Sequence, residues 1–316
     1  MPEVIAIAGG TGHLGRAIAD AIKAEGKHKV LVLSRTEYGE EKEKEIGHEI
    51  LHVDYSYSVG LASDLALNDV TTVISCLNSE TPDGDEAEWA LFNVLQHCSC
   101  VKRYIPSVWG IEYTSEIAPH FPSGESKLKF LRELDSSESL ETTIVLNGVF
   151  ADYFVAPKVP SYFHPLTFAI DIANNTAAIP GSGNVPAVFT HSWDVAKFVA
   201  RLVDSPTKWE KRSYIIGNKV TWNDFVRIAE EAKGVEFEKT YDDDMEMLQA
   251  GKITELPSHR EVYSFLPKEV LQGLLASFGV MIEKGLFNFK TERTVNEQFP
   301  EVKARTVREL VFAAWG

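Results

Sequence analysis

The chain has 316 residues, of which 44% are hydrophobic and 24% charged, and its formal net charge is −15. Composition is that of an ordinary globular protein, and the length predicts one α/β domain plus a smaller second unit, or two domains. The negative charge argues against a nucleic-acid or anionic-membrane partner. No stretch has the ~18 apolar residues of a bilayer span and the N-terminus shows no targeting signal, so a cytoplasmic location is expected.

The first predicted elements are a strand and a helix joined by a glycine-rich loop. Residues 4–8 form a short apolar run, and apolar residues recur with helical spacing from Leu14 to Ile22. The loop GGTGHLG between them fits the glycine spacings of dinucleotide-binding loops, in which a Cβ would block the pyrophosphate. The amides at the helix start then face the phosphates. The predicted binding residues are Gly9, Gly10, Thr11, Gly12, His13, Leu14 and Gly15.

The end of the second predicted strand, in KVLVLSRTE, bears on which dinucleotide binds. An NAD enzyme places a ribose-binding carboxylate here, whereas this chain has Ser34 followed by Arg35. A guanidinium at this position can bind a 2′-phosphate with two hydrogen bonds, so NADP(H) is favoured over NAD. Two alternatives stay open: Glu37 could still reach a ribose, and Arg35 could be an ordinary solvated loop charge.

Strands and helices continue to alternate up to about residue 150. Further strands are predicted at 49–54, 71–77, after Lys102 in KRYIPSVWG and at 142–150, with helices at 85–98 and 125–137. This alternation predicts a Rossmann-type, doubly wound parallel sheet over residues 1–155, with its ligand at the carboxyl ends of the strands. Tyr38 and Lys42 have the spacing of the Tyr/Lys pair of the short-chain dehydrogenases. They follow the second strand, which in a doubly wound sheet is far from where a nicotinamide would lie, so we do not predict a catalytic role for them. Further cofactor-binding candidates are Asp54, Tyr55, Cys76, Leu77, Ser107, Asn147, Gly148 and Phe150.

The second half of the chain has a different character. Proline and aromatic residues follow Phe154, then come a strand near 186–190, a helix with Trp193 and Phe198 on its apolar face, and a helix ending at Gly234. We expect a smaller, mainly helical substrate lobe over 156–316, with residues of about 185–216 returning to the sheet. The three cysteines, Cys76, Cys98 and Cys100, fit no zinc or disulfide spacing, so reduced thiols and no metal site are expected.

The chain resembles a known family, the isoflavone-reductase-like or NmrA-like branch of the atypical short-chain dehydrogenases. The matching stretches run in order along nearly the whole chain: GGTGHLG, VLSR, VISCL, VKRYIPSVWG, TTIVLNGVFADYF, IPGSGNVPAVFTHSWDVAKF, NKVTWNDFVRIAEE and QFPEVKARTVRELV. The resemblance implies an NADPH-binding Rossmann lobe and a small C-terminal lobe, with the substrate cleft between them. It also implies a lysine on the helix after the fifth strand, acting near the nicotinamide.

Two lysines, Lys127 and Lys129, lie on that helix. Lys127 falls in the middle of a stripe formed by Leu128, Phe130, Leu131 and Leu134, whereas Lys129 points to the opposite side. Apolar surroundings favour the neutral amine and suit a lysine to general acid–base catalysis. A lysine at the edge of the stripe that reaches solvent is the alternative, and spacing alone leaves both open. The resemblance at SKLKFLREL selects Lys127 as the catalytic residue, close to the cofactor.

The loop after the fifth strand departs from the family pattern. Plant members commonly carry an acidic residue where this chain has Val108, so any role of that carboxylate is absent or supplied elsewhere. Ser107 and Trp109 are expected at the cleft, with plain loop packing as the alternative. Aromatic residues 150–168, among them Tyr162, lie where the resemblance puts the substrate mouth, although such clusters also form cores. The candidate substrate contacts are Trp109, Tyr153, Phe154, Phe163 and Phe168.

The leading functional prediction is an NADPH-dependent reductase of a small aromatic secondary metabolite, acting on a carbonyl or a conjugated double bond. Lys127 would donate the proton. His120, His164 and His191 are weaker proton-donor candidates that more often have structural roles. The alternatives are a redox sensor that binds NAD(P) and a protein partner without turnover, and an NADP(H)-holding enzyme that catalyses a non-redox cyclisation or isomerisation. A homodimer is left open.

Overall fold

The computed structural model describes residues 2–264 and 266–316. Their strands, in chain order, are β1 (Val4–Ala8), β2 (Lys29–Ser34), β3 (Glu49–His52), β4 (Val70–Ser75), β5 (Arg103–Ile105), β6 (Glu141–Thr142), β7 (Ile144–Leu146), β8 (Val149–Phe150), β9 (Ile170–Asp171), β10 (Thr176–Pro180), β11 (Ala187–Thr190), β12 (Arg212–Tyr214), β13 (Asn218–Val220) and β14 (Glu238–Asp242). The α-helices are α1 (His13–Glu25), α2 (Glu40–Ile46), α3 (Ser58–Leu67), α4 (Pro82–His97), α5 (Gly124–Ser136), α6 (Asp152–Val155), α7 (Ser192–Asp204), α8 (Trp222–Lys233), α9 (Met245–Gln249), α10 (His259–Val262), α11 (Lys268–Glu283), α12 (Val295–Gln298) and α13 (Val307–Trp315), and a 3₁₀ turn covers Ala118–His120.

The chain separates into two compact units, each built from more than one stretch. The first unit comprises the chain up to Leu146 together with Val195–Tyr214 and Val295–Val302. The second comprises Asn147–Asp194, Ile215–Thr294 and Lys303–Gly316. The boundary at Leu146 lies before the expected division at 155/156, because the chain makes a sharp bend at Asn147 and Gly148.

The first unit contains a six-stranded parallel sheet in the order β3-β2-β1-β4-β5-β6. The chain moves outward from β1 in one direction through β2 and β3, then in the other through β4, β5 and β6. This is the predicted Rossmann-type, doubly wound arrangement. The central strands are apolar on both faces because helices cover both, and Ile5, Ile7 and Leu31 are completely buried.

The helix after β1 begins and ends at glycines. Gly12 is the N-cap residue of α1, and Gly26, with φ of +68°, ends it in the left-handed conformation. Leu14, Ile18 and Ile22 are all buried, as their spacing predicts. The predicted helices at 85–98 and 125–137 are also present, beginning three residues earlier at Pro82 and one residue earlier at Gly124.

The prediction of a single strand at 142–150 is wrong, because the structure divides these residues into β6, β7 and β8. β6 pairs with β5, whereas β7 pairs in parallel with β12. β8 pairs with β11 in the second unit. The break between β7 and β8 is at Gly148, whose φ is +72° and whose ideal Cβ would lie 2.2 Å from the Val188 carbonyl oxygen. A side chain is therefore excluded at this bend.

The second unit holds two small three-stranded sheets besides its helices, in the orders β14-β10-β9 and β13-β11-β8. Its core is aromatic: the ring centroids of Phe154 and Phe225 are 4.8 Å apart, and those of Phe189 and Trp222 are 5.2 Å apart. The helix predicted to end at Gly234 is α8. Thr221 caps it by accepting a hydrogen bond from the Asp224 amide.

Among the described residues, none of the helices is long and apolar enough to cross a membrane. Across the same residues, no group of three or more His, Cys, Asp or Glu side chains is arranged to hold a metal ion. The three cysteines are free thiols, and the sulfur atoms of Cys98 and Cys100 lie 2.8 Å apart.

Candidate functional site

The glycines of the loop between β1 and α1 are required for different reasons. Gly9 has φ of +74°, and its ideal Cβ would lie 2.6 Å from the Cys76 carbonyl oxygen. An ideal Cβ on Gly15 would lie 2.4 Å from the Gly9 carbonyl oxygen, and one on Gly10 would lie 2.9 Å from the Val32 side chain. Because real Cβ atoms do not approach other atoms so closely, the packing of strand, loop and helix excludes side chains at these three positions.

Gly12 is different, because an ideal Cβ there would meet no atom within 4 Å. Its φ of −145° and ψ of 167° are extended values that any residue adopts. The fold therefore does not require glycine at this position. A ligand that approaches the backbone closely would require it, and the N-terminus of the 13-residue helix α1 places backbone amides beside it. This open cradle fits the pyrophosphate of a dinucleotide.

The residue after Gly12 adds an observation that the sequence pattern did not predict. His13 has φ of +42°, in the left-handed region that disfavours residues with a Cβ. Thr11 precedes this turn and Leu14 is buried. Backbone strain of this kind concentrates at ligand-binding loops, where the surrounding structure maintains it.

The other cofactor candidates of the first unit follow the carboxyl ends of β2, β3 and β4. Ser34 accepts a hydrogen bond from the Thr36 amide, and Arg35 beside it is exposed. Asp54 accepts hydrogen bonds from the Ser56 hydroxyl and amide, which hold the pKa of its carboxyl below the usual range. Cys76 and Leu77 follow β4 directly. Because carboxyl ends of parallel strands share one edge of a sheet, these residues and the glycine loop lie at the same edge.

Tyr55, at the same edge, is buried with only 4% of its surface exposed. Among the described residues its hydroxyl has no hydrogen-bond partner, and burial raises the pKa of the phenol well above its usual range. Asn147, Gly148 and Phe150, the remaining cofactor candidates, belong to the second unit. The close approach of Gly148 to Val188 explains that glycine without a ligand.

Lys127 is directed into the first unit, as predicted, and is 5% exposed. Its Nζ donates to the Ser79 hydroxyl at 2.7 Å and to the Ser107 carbonyl at 3.1 Å, and lies 3.1 Å from a carboxylate oxygen of Glu80. The expectation of apolar surroundings is wrong at this atom, because all three contacts are polar. Lys129 is exposed, with its Nζ 5.4 Å from the centre of the Trp89 ring.

Glu80 follows β4 and forms an ion pair with Lys127. The same carboxylate accepts hydrogen bonds from the Tyr113 hydroxyl, at 2.8 Å, and from the Ser123 hydroxyl. Partial burial opposes the ionisation of Glu80, but the Lys127 charge and these hydrogen bonds outweigh it and hold the pKa of the carboxyl below its usual range. The Tyr113 ring covers the pair from one side, with its centre 5.2 Å from Lys127 Nζ.

Hydrogen bonds connect the loop after β5 to the end of β4. Ser107 donates its hydroxyl proton to the Leu77 carbonyl at 2.7 Å, and Trp109 donates its indole N–H to the Ser75 carbonyl at 3.0 Å. Ser107 and Val108 are 6% and 2% exposed. Ser107 and Trp109 thus hold the loop in place, which is the structural alternative that the sequence left open. The Ser107 carbonyl also accepts the hydrogen bond from Lys127.

A buried carboxylate, Glu88 of α4, lies behind this loop with 3% exposure. It accepts hydrogen bonds from the Tyr104 hydroxyl at 2.5 Å, from the Ser107 amide at 2.8 Å, and from the Ser75 hydroxyl. Burial raises the pKa of the Glu88 carboxyl above its usual range, against the effect of these hydrogen bonds. Glu88 thereby joins the ends of β4 and β5 to α4.

Apart from Trp109, the aromatic substrate candidates lie in the second unit, where they and Phe150 divide into two groups. Phe150, Tyr153 and Phe163 are partly exposed and pack together, with the rings of Phe150 and Phe163 4.7 Å apart and those of Tyr153 and Phe163 5.7 Å apart. Burial raises the pKa of Tyr153 to about 12, so its phenol stays protonated at neutral pH. Phe154 and Phe168 are 4% and 5% exposed and form part of the core, so the structure does not support them as substrate contacts.

The remaining histidine and aromatic candidates have other surroundings. His191 is completely buried, 3.5 Å from the Asp152 carboxylate and 2.9 Å from the Arg305 guanidinium, which makes it structural. Tyr162 packs against Trp193 with ring centres 5.6 Å apart. His120 ends the 3₁₀ turn, and His164 is exposed.

Sequence reasoning missed four residues around Lys127: Ser79, Glu80, Glu88 and Tyr113. Ser79 and Glu80 follow the end of a predicted strand. Because ligand-binding residues of parallel sheets lie at the carboxyl ends of strands, this position is the feature of the sequence that could have indicated them. Glu88 lies within an amphipathic helix and Tyr113 in an irregular loop, so neither position stands out in the sequence.

Comparisons with known proteins agree with this architecture. The model of the NmrA-like family matches residues 1–310. Oxidoreductase BOA1 of Botryotinia fuckeliana is 34% identical over 303 residues, covering 94% of this chain and 95% of that protein. Phenylcoumaran benzylic ether reductase TP7 of Nicotiana tabacum is 26% identical over 324 residues, covering 97% of both chains. A solved structure of AtPrR2 with NADP+ and (+)pinoresinol has the same fold, with a TM-score of 0.73 at 24% identity over 99% of this chain and 98% of that one. The family resemblance inferred from the sequence is therefore confirmed, and the chain belongs to the NmrA-like family.

Proposed function

We propose that this protein is an NADPH-dependent reductase of a small aromatic metabolite, with Lys127 as the proton donor. The observation that carries the proposal is the position of the Lys127 ammonium. It is buried among polar groups that follow β4 and β5, at the sheet edge where the glycine loop leaves its cradle open. The names of the relatives, an oxidoreductase and a reductase, support turnover over a purely regulatory role.

Several features support NADPH as the cofactor. The open backbone at Gly12 and the amides that begin α1 fit a pyrophosphate. Arg35 is exposed at the end of β2, and across residues 2–264 and 266–316 no hydrogen bond or ion pair engages its guanidinium, so it is available for a 2′-phosphate. The AtPrR2 structure of the same fold carries NADP+. We therefore propose a preference for NADPH over NADH.

Reduction of a carbonyl or a conjugated double bond requires one hydride and one proton. NADPH, when bound, supplies the hydride. Lys127 holds its proton on Nζ, within hydrogen-bond distance of Ser79 and Ser107. We propose that it donates this proton to the oxygen or carbon that becomes negatively charged as the hydride arrives. Ser79 and the Ser107 carbonyl fix the direction of the ammonium, which general acid catalysis depends on.

An aromatic substrate is favoured by two observations. The AtPrR2 structure contains (+)pinoresinol, an aromatic compound. In the second unit, Phe150, Tyr153 and Phe163 form a partly exposed ring cluster, which we propose as substrate contacts, since aromatic surfaces bind flat apolar ligands well.

The test combines a substrate screen with Lys127→Ala. Aromatic ketones and enones are offered with NADPH, and loss of the reduced nicotinamide absorbance is followed. On the best substrate, Lys127→Ala should lower kcat about a hundredfold or more, because general acid catalysis contributes ~10² to 10⁴ in rate. The NADPH affinity, measured by calorimetry, should stay nearly unchanged.

Lys129→Ala is the matched control, because it removes an exposed lysine from the same helix and should keep wild-type turnover. If Lys127→Ala keeps full activity, the proton comes from another group and the role given to Lys127 is wrong. If no ketone or enone is reduced, but NADPH and NADP+ bind with clearly different affinities, the reductase proposal is withdrawn in favour of a sensor.

A further inference from the structure

We propose that Glu80 is a positioning residue for Lys127, supplying the negative charge that directs its ammonium. This inference rests on the proposed function, because it concerns the proton that Lys127 would donate. It assigns a role to a loop residue after β4 that the glycine pattern and the lysine stripe did not reveal.

The polar groups around the Lys127 ammonium differ in charge. An ammonium has three N–H donors, and Nζ has three polar contacts, with Ser79, Ser107 and Glu80. Only Glu80 among these carries a charge. The contact from the loop after β5 is the Ser107 carbonyl, and the next residue, Val108, is apolar and buried.

Among the described residues, Glu88 and Tyr113 also face Lys127. Glu88, on α4, acts on it electrostatically, but its own pKa is raised by burial, so it is a weaker source of negative charge. Tyr113 approaches with its ring face, and its hydroxyl proton is donated to Glu80. Burial raises the pKa of this phenol well above its usual range, so Tyr113 stays neutral. Glu80 is therefore the principal anionic partner of the ammonium.

Glu80 is itself held in place by hydrogen bonds. Exposed ion pairs contribute little, because both side chains move and water screens them. Here the Lys127 side chain is 7% exposed and that of Glu80 is 44% exposed. Hydrogen bonds from Tyr113 and Ser123 fix both carboxylate oxygens of Glu80. A carboxylate held this firmly and this close can fix the direction of the ammonium.

The activity test separates charge from shape. Glu80→Gln keeps a hydrogen-bond acceptor and removes the charge, whereas Glu80→Asp keeps the charge on a shorter side chain. With the ketone or enone that the wild type reduces fastest, Glu80→Gln should lower kcat about tenfold and leave KM unchanged, because the ammonium loses the charge that directs it. The affinity for NADPH should not change.

Glu80→Asp should restore part of kcat, and Glu86→Gln, which removes an exposed carboxylate of α4, should leave kcat unchanged. A purely structural role for Glu80 would lower kcat as much in Glu80→Asp as in Glu80→Gln. That result, or a wild-type kcat in Glu80→Gln, overturns the proposal.

A second measurement needs neither substrate nor cofactor. In protein labelled with ¹³C-lysine, the Lys127 side-chain signal is identified by its absence in Lys127→Ala and compared at neutral pH between the wild type and Glu80→Gln. This signal should change position in Glu80→Gln, because the carboxylate charge beside the ammonium is removed, and should keep its position in Glu86→Gln. An unchanged signal in Glu80→Gln overturns the inference even where turnover is found, whereas a loss of turnover in the screen with a changed signal overturns only the proposed function.

Discussion

Gly12 and Gly15 lie in the same loop, yet their missing side chains have different physical causes. An ideal Cβ on Gly12 would meet no protein atom within 4 Å, whereas one on Gly15 would lie 2.4 Å from the Gly9 carbonyl oxygen. We expect Gly12→Val to abolish NADPH binding in calorimetry, because the new side chain would occupy the pyrophosphate cradle. The free energy of unfolding should change by no more than about 1 kcal/mol, the scale of a helix N-cap effect.

Gly15→Ala is the comparison within the loop. It should lower the unfolding midpoint markedly, because α1 must move away from the strand to accommodate the methyl group. Wild-type NADPH affinity in Gly12→Val would show that the cradle does not bind phosphate. Equal loss of stability in both variants would show that Gly12 has a packing role not visible in its surroundings.

At the scale of elements, Glu88 couples α4 to β4 and β5 through a pH-dependent contact. Its pKa is raised by burial, so between its usual value and the raised one the folded chain binds more protons than the unfolded chain. The free energy of unfolding contributed by this group therefore falls as the pH rises through that window, by about 1.4 kcal/mol for each unit of pKa difference. The effect is absent at pH values below the usual pKa.

Glu88→Gln should remove this dependence. The amide oxygen can accept from Tyr104 and the Ser107 amide, and the amide N–H can donate to the Ser75 hydroxyl, which turns to accept. In urea unfolding at pH 5 and pH 8, we expect the wild type to lose more stability between the two than Glu88→Gln does. Glu86→Gln, on the exposed side of α4, should retain the wild-type loss. Identical losses in all three proteins would mean that burial of Glu88 does not affect its ionisation.

Elements with a periodic apolar pattern could be predicted from the sequence. The β1–loop–α1 unit was predicted, and the helical stripe gave the direction of Lys127. Residues 142–150 were predicted as one strand, whereas the structure divides them into three. Their division depends on β11 and β12, which lie far along the chain, and on the positive φ of Gly148.

The site was only partly predictable for the same reason. Glu80 follows a strand in a loop without periodicity, and its environment is created by Tyr113, Ser123 and Lys127. Such contacts between distant positions leave no pattern in a single sequence. Phe154 and Phe168 could not be separated from the exposed ring cluster by sequence, because cores and binding surfaces use the same aromatic residues.

At the scale of the whole molecule, neither unit is a continuous stretch of chain. The first unit includes Val195–Tyr214, which supplies β12 to pair with β7 and most of α7. Arg103 at the start of β5 donates to the Val203 and Ser205 carbonyls at 3.2 and 3.1 Å. Folding of the Rossmann unit therefore requires a segment that is synthesised after much of the second unit.

This organisation predicts the behaviour of fragments. Residues 1–155, the domain expected from the sequence, should fail to show a cooperative urea transition. Removing residues 195–214 leaves β7 without β12 and uncovers the surface packed against Val195, Phe198 and Val199, all of which are completely buried. A fragment of residues 1–214 restores these contacts and should regain cooperativity, measured by far-ultraviolet circular dichroism. Cooperative unfolding of residues 1–155 would show instead that the six-stranded sheet and its helices form a sufficient core, and that the returning segment only adds to it.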